Sequence, residues 1–257
     1  VFEKGREPRY SQPAKKETHS LPTQKLRPRE GLQAMLTLFG RERRKHKYVF
    51  IFTYGRSGST LLMGLLNSLP HYCIRGENNN VLYRIYEAVA ALEKARAGAL
   101  RNSDRATHPW FGLARSDPER FAQQLIEAFV DRVLTPERGH EVLGFKEIRF
   151  SQSEMPDFEG YLAFLRKRFP GCRIIFNHRR LADVAASKWW ATMPQAPEKL
   201  QFMEDRFLSV PDAPDVFRVQ YERIDDGLAH VRQLFGFLGE PLDEAAVRAV
   251  LSVRHSY

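Results

Sequence analysis

The chain has 257 residues, a formal net charge of +9, 43% hydrophobic and 28% charged residues. That composition supplies a sizeable core and excludes disorder of the chain as a whole. No stretch approaches the roughly 18 apolar residues of a membrane span, and no apolar N-terminal region has the form of a signal peptide. A soluble, cytoplasmic protein is expected, although a start at Val1 rather than Met leaves a preceding targeting segment or anchor open.

Residues 1–47 hold 13 Lys/Arg against 5 Asp/Glu, whereas the other 210 hold 27 against 26. The basic excess is therefore a feature of an N-terminal extension. Its plain reading is a solvated tail, and its functional reading is attraction to an anionic polymer or membrane surface. The nearly neutral body gives no reason to expect specific nucleic-acid binding. Pro8, Pro13, Pro22 and Pro28 among charges mark residues 1–29 as an extended arm. Leu32, Met35, Leu36, Leu38 and Phe39 suggest a short helix closed by Gly40. Cys73 and Cys172 are too few for a disulfide framework or a zinc site and read as small buried hydrophobes.

From residue 48 the pattern changes. Tyr48-Val49-Phe50-Ile51-Phe52 is a continuous β-prone run, as in a strand buried on both faces. It leads through Thr53–Thr60 into the helical stretch Leu61–Leu66. A short β-like stretch, His71–Ile74, follows. Helices are then expected over 80–97 and 117–134, a strand over 141–146, a helix over 157–169 and a strand over 173–177. A helix over 181–191, a strand over 216–219 and helices over 226–238 and 243–253 complete the chain. Strands alternating with helices predict an α/β domain with a parallel β-sheet flanked by helices. Ligands in such sheets sit at the carboxyl ends of the strands.

The loop Tyr54-Gly55-Arg56-Ser57-Gly58-Ser59-Thr60 joins the first strand to the first helix. A helix N-terminus offers unpaired N–H groups and the positive end of the dipole. Gly55 and Gly58 allow close backbone approach, the hydroxyls of Ser57, Ser59 and Thr60 add donors, and Arg56 adds a fixed charge. Together they form an anion cradle. It is not the triphosphate loop G-x-x-x-x-G-K-[ST], because Ser59 stands at the lysine position and Thr53 at the first glycine. The apolar strands end in Lys146 and Asn177-His178 rather than in a magnesium-holding Asp. The expected ligand is an anion handled without a metal.

Thr53–Thr60 resembles the 5′-phosphosulfate loop of the sulfotransferases that use 3′-phosphoadenosine 5′-phosphosulfate (PAPS). Arg179, Asp183 and Ser187, after an apolar strand, are similar to that family's 3′-phosphate segment in spacing and order. The resemblance covers roughly residues 48–257, and residues 1–47 fall outside it as a basic extension. It implies a P-loop NTPase-like sulfotransferase fold, PAPS as co-substrate, adenosine 3′,5′-bisphosphate (PAP) as product, and no metal. Tyr54–Thr60, Arg179 and Ser187 would then bind the nucleotide, with Arg56 at the bridging and terminal oxygens. Independently of the family, two helical turns from Ser187 back toward Arg179 would let their polar heads converge on one anion.

By the same resemblance, Glu77 in Arg75-Gly76-Glu77-Asn78 matches the glutamate of carbohydrate-directed sulfotransferases, with Asn78 in place of their usual Pro. Glu77 is the expected base, with His178 the runner-up, against the plain reading of a capping or salt-bridged Glu. Lys146, in Gly144–Arg149, would touch the sulfuryl group or the acceptor. Arg149 would contact an acidic acceptor unless it is salt-bridged to Glu147. Trp110 and Trp189 are candidate acceptor-binding aromatics, with one of Trp189-Trp190 expected in the core. Val253–Tyr257 would close over the nucleotide. The expected acceptor is a hydroxyl or amine, preferably on a glycan or glycolipid. The rival readings are a nucleotide or small-molecule kinase and a non-catalytic module binding anionic polymers.

Overall fold

The computed structural model of the protein describes residues 46–99, 105–224 and 226–253. The basic arm, the short helix expected over 32–39 and all but the first residue of the expected C-terminal closure lie outside those residues. The strands are β1 (Lys47–Phe52), β2 (Tyr72–Arg75), β3 (Val142–Glu147), β4 (Arg173–His178) and β5 (Val216–Gln220). The helices are α1 (Ser59–Asn67), α2 (Val81–Ala99), α3 (Pro118–Phe129), α4 (Phe158–Arg168), α5 (Leu181–Ala185), α6 (Ala196–Leu208), α7 (Ala229–Leu238) and α8 (Glu244–Ser252). The strands form one parallel sheet in the order β2-β3-β1-β4-β5.

The apolar run of β1 is explained by its central place. Val49 and Ile51 face one side, packed with Leu62, Leu65 and Leu66 of α1 and Val231, Leu234 and Phe235 of α7. Phe50 and Phe52 face the other, among Leu82, Tyr83, Phe129, Phe158, Tyr161 and Phe207. Side chains alternate across a strand, so only a continuous apolar sequence fills both layers. Fully burying one such Phe contributes about 1.5–3 kcal/mol.

The chain leaves β1 through α1 toward β2 at one edge, and returns through β3 and α4 to β4 on the far side of β1. Connections that diverge in this way open a crevice at the carboxyl ends of the central strands. Phe52 is in register with Glu147 of β3 and Phe176 of β4, so β1 and β3 end level and β4 runs on to His178.

Three local expectations change. The helix expected over 117–134 is α-helical only to Phe129 and widens into a π-turn over Val130–Leu134, ended by Thr135 at φ 43°. The Leu134 carbonyl that this exposes is taken by Arg75 Nε at 2.9 Å. The helix expected over 181–191 stops at Ala185; Ser187 is extended (φ −101°, ψ 124°), and a 3-10 turn follows over Lys188–Thr192. Helix α6 has no counterpart in the sequence reading, although Ala196, Leu200, Met203 and Phe207 are buried at helical spacing. Among the described residues no helix is long and apolar enough to cross a membrane.

Candidate active site

A cleft of about 650 Å³ lies at the carboxyl end of the sheet, lined by the β1–α1 loop, the ends of β3 and β4, and the end of α8. Its charged lining is Arg56, Glu77, Lys146, Arg149 and Arg179, four cations against one carboxylate.

The β1–α1 loop is built to leave backbone donors open. Helices α3, α4 and α8 begin on Asp117, Asp157 and Asp243, whose carboxylates accept helix N–H groups. Helix α1 begins on Gly58, which supplies no side-chain cap. Among the described residues, no acceptor takes the backbone N–H groups from Gly55 to Thr60. Gly58 has φ 81°, and a Cβ there would lie 2.1 Å from the Tyr221 ring. A Cβ on Gly55 would lie 2.6 Å from Trp189. Arg56 itself is left-handed at φ 68°, an uncommon state for a side-chain-bearing residue. Held strain of this kind concentrates at ligand-binding turns.

Buried partners hold the loop from beneath. Thr53 Oγ1 donates to the Asn177 carbonyl (2.7 Å) and, its one hydrogen being used there, accepts from the Ser57 hydroxyl (2.6 Å). Asn177 Nδ2 donates to the Ser57 carbonyl at 3.0 Å. Trp190 Nε1 donates to the Gly55 carbonyl at 2.9 Å. Tyr54 is wholly buried, and its hydroxyl donates to the Arg179 carbonyl (2.8 Å) and accepts the Arg179 N–H (2.9 Å). Burial, with the charges of Glu204 and Glu222, raises the phenol far above its usual pKa against the opposing Arg179 N–H. It therefore stays a donor.

The 179–187 segment meets this loop directly. Arg179 Nη1 donates to the Arg56 carbonyl at 2.9 Å, and its guanidinium lies 4.5 Å over the Tyr221 ring. Its Nε is buried without a partner. Arg56 Nε donates to Ser187 Oγ at 3.2 Å. Ser187 thus reaches the loop from an extended break between short helical turns, not from the second turn of one helix as the spacing suggested. Asp183 pairs with Arg180 Nη1 (3.2 Å), and both are exposed.

Across the cleft, Glu77 bridges two cations. Lys146 Nζ donates to its Oε1 at 2.5 Å, and Arg149 Nη1 donates to its Oε2 at 3.1 Å. Glu147, only 1% exposed, holds this group together. Its Oε2 accepts the N–H groups of Asn78 (3.2 Å) and Asn80 (3.0 Å), and its Oε1 accepts the Ile148 N–H (2.9 Å) and Arg149 Nη1 (3.1 Å). Burial acts to lower the Arg149 pKa. The charges and hydrogen bonds of Glu147 and Glu77 outweigh it and hold the guanidinium above its usual value.

Of the residues expected from sequence, Gly55, Arg56, Gly58, Ser59, Thr60, Glu77, Lys146, Arg149, Arg179 and Trp189 line this one cleft. The side chains of Tyr54 and Ser57 turn into the supports below the loop. Trp110 is half-exposed in the segment before α3 and is not among the cleft residues. His178 is buried, with Nδ1 2.9 Å from Glu204 Oε2, and also lies off the cleft. Trp190 is buried, and Trp189 stacks on it with ring centroids 4.1 Å apart. Tyr221 is the addition that sequence reasoning missed; Glu147 was expected only as a salt-bridge partner of Arg149, which it is, and its bonds to the Asn78 and Asn80 N–H groups were not foreseen. Tyr221 follows β5, and only its place at a strand's carboxyl end pointed to it. Among the described residues no three His, Cys, Asp or Glu side chains gather as metal ligands would.

A model of the sulfotransferase family (Sulfotransfer_3) matches residues 49–244. Among solved structures, the sulfotransferase STF9 from Mycobacterium avium is 15% identical, with 88% of this chain and 73% of that chain covered and a TM-score of 0.47. The sulfotransferase domain of the Synechococcus PCC 7002 olefin synthase is 18% identical, with 83% and 80% covered and a TM-score of 0.46. Retinol dehydratase in complex with androsterone and the inactive cofactor PAP is 16% identical, with 86% and 68% covered and a TM-score of 0.39. A search of curated proteins finds no match.

Proposed function

The chain belongs to the sulfotransferase family, and on that premise we propose that it transfers a sulfuryl group from PAPS to an acceptor hydroxyl, releasing PAP. The observation that carries this reading is the meeting of two anion-binding segments in one cleft, where Arg179 Nη1 holds the Arg56 carbonyl. The residues present fit the nucleotide. The open N–H groups of the β1–α1 loop suit a 5′-phosphosulfate, and Arg179, with its Nε unpartnered, suits a 3′-phosphate; Ser187 is not among the cleft residues and acts here through Arg56.

PAPS supplies an activated sulfuryl group with a phosphate leaving group. In the transfer a bond forms between the acceptor oxygen and sulfur, and the bond from sulfur to the 5′-phosphate oxygen breaks. The leaving oxygen keeps the electron pair, and the acceptor proton passes to Glu77. Arg56 and the loop N–H groups stabilise charge growing on the leaving phosphate. Lys146, one-tenth exposed at the end of β3, carries a second cation to the transferring group. Both Glu77 oxygens already accept a hydrogen bond, but each retains a second lone pair with which to take a proton. We assign the acceptor to the carbohydrate type, on the place of Glu77 just beyond β2 and the half-exposed Trp189 in the cleft wall.

Calorimetry without divalent ions tests the nucleotide: PAP should bind, and ATP with magnesium should bind more weakly. Tighter ATP binding would favour a kinase. Transfer of radiolabelled sulfate to neutral glycosides tests the reaction.

A further inference from the structure

Helix α6 supplies none of the residues that line the cleft, yet it carries a carboxylate among its buried side chains. Glu204 lies next to buried Met203 and one turn before buried Phe207, and its side chain is 17% exposed. A carboxylate so placed is costly unless it is paired. Its Oε2 lies 2.9 Å from His178 Nδ1. An ionised carboxylate only accepts, so Nδ1 is the donor. His178 ends β4, is 4% exposed and meets the Phe207 ring edge-on. Its Nε2 is buried with no partner. The imidazole is therefore held at one nitrogen, and the hold comes from α6.

The next residue is Arg179. Successive side chains at a strand end point to opposite layers. His178 faces Phe207 in one layer, and the Arg179 guanidinium lies over Tyr221 in the other. The Tyr54 hydroxyl clasps the Arg179 N–H and carbonyl, and the Tyr54 ring stacks on Phe207 with centroids 6.4 Å apart. Helix α6 thus touches both supports of Arg179: His178 through Glu204, and Tyr54 through Phe207.

We infer that Glu204 is a positioning residue for nucleotide binding. By holding the His178 ring it fixes the end of β4 from which Arg179 reaches the cleft. Neither Glu204 nor His178 lines that cleft, so both act through Arg179 and not on the ligand. Side chains that meet a ligand keep their aim only when neighbours of this kind lock them. His178, the second candidate for the base in the sequence, is instead a link in that support. The inference rests on the assignment of Arg179 to a 3′-phosphate.

The experiment is calorimetry on the full chain with PAP and with adenosine 5′-monophosphate, which lacks the 3′-phosphate. Glu204→Ala should weaken PAP about tenfold and the monophosphate less than about threefold, because Arg179 serves the 3′-phosphate. Glu204→Gln keeps an acceptor, and His178→Asn keeps a donor near the Nδ1 position. Both should hold PAP affinity within about threefold of wild type. His178→Leu removes the same link from its other side and should lose about tenfold, which keeps the test intact if Glu204→Ala fails to fold. In Arg179→Ala, adding Glu204→Ala should cost no further PAP affinity, since groups that act through one contact are not additive. Additive losses, equal weakening of the two nucleotides, or wild-type PAP affinity in Glu204→Ala and His178→Leu would overturn the proposal. If the wild-type chain binds PAP no better than the monophosphate, the assignment of Arg179 falls instead.

Discussion

Arg179 Nη1 donates to the backbone carbonyl of Arg56 at 2.9 Å, joining two segments 123 residues apart in sequence. The contact uses one end of the guanidinium fork and leaves the buried Nε free. Arg179 therefore shapes the β1–α1 loop and, on the proposed function, would offer a donor to the nucleotide with the same side chain. Arg179→Lys keeps the charge but cannot do both, because an ammonium lacks the planar fork. PAP affinity measured by calorimetry should fall about 100-fold in Arg179→Ala, about 2.7 kcal/mol. It should stay at least about tenfold down in Arg179→Lys. Full affinity in the lysine variant would reduce the residue to a point charge.

Gly58 and Tyr221 form a second test. A methyl group at 58 would lie 2.1 Å from the Tyr221 ring, on a backbone at φ 81°. Gly58→Ala should cost about 1–3 kcal/mol in unfolding free energy and weaken PAP binding. Tyr221→Ala in the same chain relieves the collision but not the left-handed backbone. The double variant should recover part of the stability in denaturant titrations. Complete recovery would show that the backbone conformation costs nothing.

Glu77 and Glu147 are both carboxylates bonded to Arg149, yet their variants should separate. Glu77→Gln removes the proposed proton acceptor, so turnover should fall by about 100-fold or more while PAP affinity stays near wild type. Glu147→Gln should lower turnover less. It should also speed hydrogen exchange at the Asn78 and Asn80 amides, which the Glu147 carboxylate now caps. Unchanged exchange there would remove Glu147 as the group that positions the Glu77 loop.

Much of this site was legible because its signals are local. An apolar run followed by two glycines and three hydroxyls declares a strand, a glycine-bearing turn and a helix start within 13 residues, Tyr48–Thr60. What stayed hidden depends on contacts between distant segments. Nothing near Tyr221 in sequence tells that its ring will seat against Gly58 and Arg179. Glu147 reads locally as a salt-bridge partner, and its bonds to Asn78 and Asn80 exist only once β2 and β3 are paired. The helix break after Ala185 is tertiary as well. Trp190 must turn inward to reach the Gly55 carbonyl, and Ser187 must extend to reach Arg56. Helix α6 is the opposite case, since its buried spacing was present in the sequence.

His230 gives the pH prediction. It is 5% exposed on α7, and its Nε2 accepts the Gln220 N–H at 3.0 Å. Burial lowers its pKa below 6.5, aided by the charge of Arg223 and opposed by the hydrogen bond to Gln233. The folded chain then resists a proton that the unfolded chain accepts. The stabilisation from the neutral ring is fully present above the unfolded value of about 6.5 and is lost as pH falls toward the lower folded value. Through that window unfolding free energy should drop with pH by up to about 1.4 kcal/mol per unit from this group. Urea midpoints at pH 7.5 and 5.5 should differ less in His230→Gln than in wild type, since glutamine does not titrate. Equal differences in the two proteins would mean that protonation of His230 does not contribute to the acid sensitivity of the fold.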